Sequence, residues 1–217
     1  MKNDLSYLKK LKTPELTTSM LMGALSDYED VRGKISALSK KGIIKPIKQG
    51  VYLLNEDLCL RSYSKEILAN LIYGPSYISL ETALSYYGFI PERVTTTTSI
   101  CIGRGKSFST PVGDFEYYHI KDSIYSLGVQ LKEVFSGVFC QYATPEKALL
   151  DFLHIKETKG EFKKQKEYFH YILDSYRLDL QNIESTISCK KLQNLAEQYP
   201  FLHVQWFSNE LTRKLLK

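Results

Sequence analysis

The chain has little of what most function classes require. Its 217 residues include one tryptophan, three methionines, seven prolines and four cysteines. Cys59, Cys101, Cys140 and Cys189 stand roughly 40 residues apart with no C-x-x-C pair, which argues against a zinc site and a disulfide framework. They read as buried small hydrophobes. His119, His154, His170 and His203 are isolated from cysteine and show no H-E-x-x-H spacing, so no metal is expected. No apolar run approaches the ~18 residues of a membrane span. The N-terminal stretch MKNDLSYLKKLKTPEL has charges scattered through its apolar positions, unlike the continuous apolar core of a signal peptide. A cytoplasmic protein with no membrane partner is expected.

Catalytic signatures are missing too. There is no G-x-S-x-G elbow. Gly105-Lys106-Ser107 imitates the end of a phosphate loop, but Ile100 stands where that motif needs its first glycine. The segment Phe108-Ser109-Thr110-Pro111 reads as extended chain, not as the helix whose N-terminus would face an anion. Glu146 and Asp151 lie five apart on one expected helix and do not share a face. The expectation is a protein without cofactor and without catalytic residues.

What is present is an ordinary globular composition, 43% hydrophobic and 24% charged. A chain of this length buries about 70% of its unfolded surface and needs no staples to fold. Net charge is +5, which favours a polyanionic partner. Residues 1–60 hold ten Lys or Arg against seven Asp or Glu, so positive charge is denser at the front.

The front also carries the clearest helix punctuation. Leu5, Leu8 and Leu11 form an apolar stripe on a short helix over residues 3–11, broken at Thr13-Pro14. Met20, Leu21, Ala24 and Leu25 form a second helical face over residues 17–25. Ser26 and Glu29 form a capping box. Val31, Ile35 and Leu38 come next at i, i+4 and i+7, with Lys40 and Lys41 in the last turn and Gly42 where a left-handed cap belongs. Ile43 to Ile47, the turn Lys48-Gln49-Gly50, and Val51 to Leu54 read as a hairpin. Helices succeeded by a hairpin describe a winged helix-turn-helix over residues 1–60.

Beyond residue 60 the pattern changes. Ser64 to Ile72 reads as a helix ended by Gly74-Pro75, and a second helix starts with Ser79 as its cap and closes at Tyr87-Gly88. Val94 to Ile102, the alternating Phe115, Tyr117 and His119, and a hairpin of Val129 to Val134 with Val138 to Tyr142 predict strands. Thr144-Pro145-Glu146 opens another helix, and the rest reads as helices broken near Asp179 and at Pro200. The expected fold class is α+β: an N-terminal winged helix, then an α/β domain over residues 61–217 with mainly antiparallel strands and a helical C-terminal tail.

On the helix from Asp27 to Lys41, the stripe of Val31, Ile35 and Leu38 leaves Gly33, Ser36, Ala37 and Lys40 opposite, flanked by Arg32 and Ser39. Short and basic side chains suit a helix lying in a DNA major groove. Lys45 and Lys48 on the hairpin would extend the contact to the duplex backbone. Glu29 and Asp30 at the helix N-terminus work the other way, because acids repel phosphate; they support a rival, a protein-interaction module whose winged helix no longer binds DNA. The 16 tyrosines, among them Tyr86-Tyr87 and Tyr117-Tyr118, would suit such an interface. A nucleic-acid-processing enzyme would need clustered carboxylates that only the fold brings together.

Three segments carry a family resemblance: KKGIIKPIKQGVY at residues 40–52, YISLETALSYYGFIPE at 77–92 and ATPEKALLD at 143–151. Together they resemble the AbiEi antitoxin family of type IV toxin-antitoxin systems, over roughly residues 15–155. The resemblance implies an N-terminal winged helix, repression of the protein's own operon by binding inverted repeats, and the countering of a nucleotidyltransferase-like toxin without a stable complex. Carried over, DNA binding falls to Arg32, Ser36, Ser39, Lys40 and Lys41 on the helix and to Lys48 on the wing. The second and third motifs are mostly caps and apolar faces and are expected to be structural. A module of about 60 residues covers little of a specific DNA site, so residues 1–60 alone are expected to bind promoter DNA at least about tenfold more weakly than the whole chain, a loss of ~1.4 kcal/mol.

Overall fold

Thr17 ends a short extended segment and caps a helix at the same time, so strand β1 (Glu15–Thr17) passes directly into helix α1 (Thr18–Ala24), with the Thr17 hydroxyl accepting from the Met20 N–H. The structure is a computed structural model that describes residues 7–8, 11, 13–156 and 162–215. Most of the helix expected over residues 3–11 lies outside the described residues; Tyr7 and Leu8 are helical, and Leu8 is fully buried. Helix α2 (Val31–Lys40) precedes the hairpin of β2 (Ile44–Lys48) and β3 (Val51–Leu54). The three strands form an antiparallel sheet in the order β1-β3-β2. Strand β1 does not show in the sequence pattern, because three residues are too few to reveal an alternation.

Helix α2 starts later than the pattern predicts. Its N-cap is Asp30, whose carboxylate accepts from the Gly33 N–H at 2.8 Å, so the Ser26/Glu29 capping box does not form. Asp is as good a cap as Ser and sits closer to the apolar stripe. At the other end Gly42 adopts φ +68°. There the Gly42 N–H donates to the Ser39 carbonyl and the Ile43 N–H to the Leu38 carbonyl, closing the helix through a left-handed residue. Leu21, Leu25, Ile35, Leu38, Ile44 and Leu54 join Leu8 and Leu16 in a small core.

Helix α3 (Lys65–Ile72), capped by Ser64, leads to β4 (Ser76–Ile78) and helix α4 (Leu80–Tyr86). Strands β5 (Thr97–Cys101), β6 (Lys106–Thr110) and β7 (Gly113–His119) come next, then the short helix α5 (Asp122–Tyr125) and the hairpin of β8 (Val129–Phe135) and β9 (Val138–Ala143). These six strands form one sheet in the order β6-β7-β5-β4-β9-β8. It is mixed. Three joints are antiparallel, but β5–β7 and β4–β9 are parallel. The expectation of mainly antiparallel strands holds for three of the five joints and does not foresee the two parallel ones, because the pattern within one strand carries no pairing direction. Parallel pairing requires a crossover, and here β6 supplies the one between β5 and β7 by folding back on the outside.

Helix α6 (Pro145–Lys156) is buried along Glu146 to Leu153, so it is enclosed on all sides. Helices α7 (Gln165–Ser175), α8 (Leu180–Thr186), α9 (Cys189–Ala196) and α10 (Leu202–Leu215) come next; α9 and α10 pack on α6 and on each other, and α10 also packs on α7. The fold is α+β. Among the described residues no helix is long and apolar enough to cross a membrane. Cys101 and Cys140 are buried as expected of small hydrophobes, whereas Cys59 and Cys189 are only half-buried; all four are free thiols.

Candidate nucleic-acid interface

The apolar stripe of α2 decides what its other face can do. Ile35 and Leu38 are buried and Val31 half-buried, which turns Arg32, Gly33, Ser36, Ala37 and Lys40 to the outside. Lys41, just past the helix, is exposed, and Ser39 is half-buried on the flank. Lys45, on the edge strand β2, is exposed next to the same end of the helix. Six of the seven residues singled out by sequence therefore share one region, of which only Ser39 is partly covered. That outer face has no carboxylate and no side chain bulkier than Arg or Lys between Arg32 and Lys41. Three acids nearby, Asp27, Glu29 and Asp30, are exposed at the N-terminal end, but the Asp30 carboxylate is engaged in capping the helix.

Lys48 stands apart from the other six. Its ammonium donates to the Ile72 carbonyl at 2.6 Å and lies 4.3 Å above the Phe108 ring. Burial, and then the nearby Lys106 ammonium, push the Lys48 amine below the usual lysine range. The sequence places Lys48 at a hairpin turn, where lysines normally face water; the fold directs it into the contact between the hairpin and the larger sheet. Ile47, Val51 and Leu53 of the same hairpin are also buried in the large core.

A second contact ties strand β1 to the segment before α3. Arg61 donates to both carboxylate oxygens of Glu15, at 2.9 and 2.6 Å, and the Ser64 N–H donates to Glu15 at 2.6 Å. Glu15 is fully buried at its side chain and Arg61 nearly so. Burial alone would raise the Glu15 carboxyl, but Arg61, the Thr13 hydroxyl and the Ser64 amide hold it below the usual range.

The other two motifs meet in the core. Asp151 of α6 accepts from Tyr77 at 3.0 Å, Ser79 at 2.8 Å and Tyr199 at 2.6 Å, and pairs with Lys147 at 3.0 Å. Lys147 also donates to the Ile124 carbonyl and Tyr199. Ser79 is the residue before α4 but makes no side-chain cap bond, because its hydroxyl is drawn to Asp151 instead. Leu80 accompanies this placement with φ +56°, a left-handed conformation that is rare for a branched side chain. Glu146 turns the other way and accepts from the Ser188 N–H at 2.9 Å. The network is closed to solvent and its polar atoms are paired, so it holds the sheet to the C-terminal helices. Sequence reasoning missed it; a Lys and an Asp at i, i+4 inside an apolar helix was the available signal.

Lys106 opens strand β6, not a helix, so Gly105-Lys106-Ser107 lacks the helix N-terminus a phosphate loop requires. Among the described residues no group of three His, Cys, Asp or Glu could hold a metal ion.

The chain matches no protein-family model and no curated protein. Its fold is similar to that of the Rv2827c protein from Mycobacterium tuberculosis, with a TM-score of 0.58 over 98% of this chain and 78% of that one. Sequence identity is 12%, so the likeness is one of fold.

Proposed function

We propose that the first 60 residues form a winged helix that binds double-stranded DNA, and that the chain is a cytoplasmic, non-enzymatic transcriptional repressor of the AbiEi antitoxin kind. The observation that carries this reading is the outer face of α2. Arg32, Gly33, Ser36, Ala37 and Lys40 are exposed together, small enough for close approach to a groove and basic enough to reach base edges or phosphates. Lys41 and Lys45 extend the cationic surface, and Ser39 flanks it. In this reading the protein represses its own operon at inverted repeats and counters a nucleotidyltransferase-like toxin without forming a stable complex with it. Those roles come from the resemblance of residues 40–52, 77–92 and 143–151 to that family.

A competition experiment tests the reading. Full-length protein on the duplex upstream of its own reading frame should be displaced more weakly by a shuffled duplex than by the same sequence. Arg32→Ala or Lys40→Ala should weaken binding, while Lys163→Ala, an exposed lysine far along the chain, should change it less. A second reading, a protein-interaction module, is favoured by exposed Glu29 and Asp30 at the mouth of α2. It predicts that both duplexes compete equally and weakly.

A further inference from the structure

We infer that the β5–β6 turn, Gly103-Arg104-Gly105-Lys106, is a second contact for the phosphates of the same DNA duplex, taking the place of the hairpin lysine that the fold turns inward. The inference rests on the DNA-binding reading of α2.

Lys48 is the cation a hairpin would offer to a duplex, and it is committed elsewhere, to the Ile72 carbonyl and the face of Phe108. The same contact draws the turn alongside the hairpin. Phe108 packs on Tyr73 with ring centroids 5.9 Å apart, the Lys106 ammonium lies 4.8 Å over the Tyr73 ring, and the Tyr73 hydroxyl donates to the Arg104 carbonyl at 3.2 Å. A continuous series of contacts thus runs from Lys48 to Arg104 with no carboxylate in it. Burial, and after it the Lys106 ammonium, disfavour the charged form of Lys48.

The turn is shaped to lie against the sheet and present its two cations. A Cβ on Gly103 would sit 2.4 Å from the Tyr73 hydroxyl oxygen, and one on Gly105 3.0 Å from the Tyr117 carbonyl. Only glycine lets the backbone approach this closely. Gly103 through Ser107 are all exposed, so Arg104 and Lys106 face water. Strand β6 is the sheet edge and carries no acid, reading Lys-Ser-Phe-Ser-Thr. The carboxylates of the neighbouring strand β7 are engaged, Asp114 by the Ser109 hydroxyl and Glu116 by the Tyr118 hydroxyl, which leaves Arg104 and Lys106 as the charges of the turn, and positive charge with hydrogen-bond donors suffices for phosphate recognition, where no base is read.

The test uses the full chain, the duplex upstream of its reading frame and a shuffled duplex, with binding followed by fluorescence anisotropy over a salt series. For the Arg104→Ala/Lys106→Ala variant, the slope of log affinity against log salt should fall in magnitude by roughly 1.8, about 0.9 for each lost phosphate contact. Both duplexes should weaken by the same factor, because phosphate contacts carry no sequence information. The charge-preserving variant Arg104→Lys/Lys106→Arg should keep the original slope. An unchanged slope in the alanine variant, with the wild-type protein binding normally, overturns the inference and leaves the α2 reading standing. Failure of the wild-type protein to bind either duplex overturns both. An unchanged melting temperature of the alanine variant separates lost contacts from lost fold.

Discussion

The Lys147 ammonium lies 3.0 Å from the Asp151 carboxylate, one turn away on α6, and both side chains are fully excluded from water. Tyr77 and Ser79 from the segment before α4 and Tyr199 from the turn between α9 and α10 donate to the same carboxylate. The segments at 77–92 and 143–151 therefore each contribute to one buried network, through Tyr77 and Ser79 on one side and Lys147 and Asp151 on the other.

Asp151→Leu should destabilise the protein by about 3–5 kcal/mol, since it leaves the Lys147 charge buried without its partner, and Lys147→Met should do the same to Asp151. Lys147→Met/Asp151→Leu should cost much less than the two single changes added together, because no lone charge remains. Urea denaturation of the four proteins measures the coupling. Additive effects would show that the pair does not act as a unit.

The Glu15–Arg61 contact makes a pH-dependent contribution. Because the folded Glu15 carboxyl is held below the unfolded value of about 4.5, its stabilisation is fully present above that pH and lost as pH falls through the lower folded value. The stability gap between wild type and Glu15→Gln, read by denaturation from pH 7 downward, should therefore stay constant to about pH 5 and then narrow. Arg61→Ala should cost about 3 kcal/mol at pH 7, as expected for a broken, largely buried pair.

That contact also revises what a truncation would report. A fragment of residues 1–60 lacks Arg61 and Ser64, both partners of Glu15, and uncovers Ile47, Val51 and Leu53. Weaker DNA binding by such a fragment would reflect damaged folding as much as lost contacts. Substitutions in the full chain separate the two.

Gly42 sits at φ +68° with open space where a Cβ would be. Gly42→Ala should cost about 1 kcal/mol from backbone strain alone. A neutral effect in thermal unfolding would mean that the end of α2 is not held in this conformation.

Much of this is legible in the sequence, and the failures have physical causes. The stripe Val31, Ile35, Leu38 and the glycine after Lys41 locate α2 and its outer face, because helical period and a left-handed stop are local properties. The start of α2 is harder to place because Ser26 and Asp30 are both competent caps and only packing chooses between them. Lys48 escapes a local reading because the residues that receive it, Ile72 and Phe108, are distant in the chain. Ser79 reads as a cap and is not one for the same reason: its hydroxyl answers to Asp151, 72 positions away. The parallel joints of the sheet are invisible, since alternation within a strand does not reveal its neighbour.

Asp30→Asn separates capping from charge. Asn caps about as well as Asp, so stability should hold while a negative charge leaves the mouth of α2. Affinity for DNA should rise by roughly twofold to fivefold, about 0.4–1 kcal/mol. If α2 instead meets a basic protein surface, DNA affinity will not change.

Whether α2 presents a DNA-binding face is decided by titrating the full-length protein on the duplex upstream of its own reading frame at several salt concentrations. Affinity should fall steeply with salt, with a log–log slope of several units at about 0.9 per phosphate contact, and the slope should be reduced in Arg32→Ala and Lys40→Ala. A weak response, flat with salt and equal on every sequence, would contradict a DNA-binding face on α2.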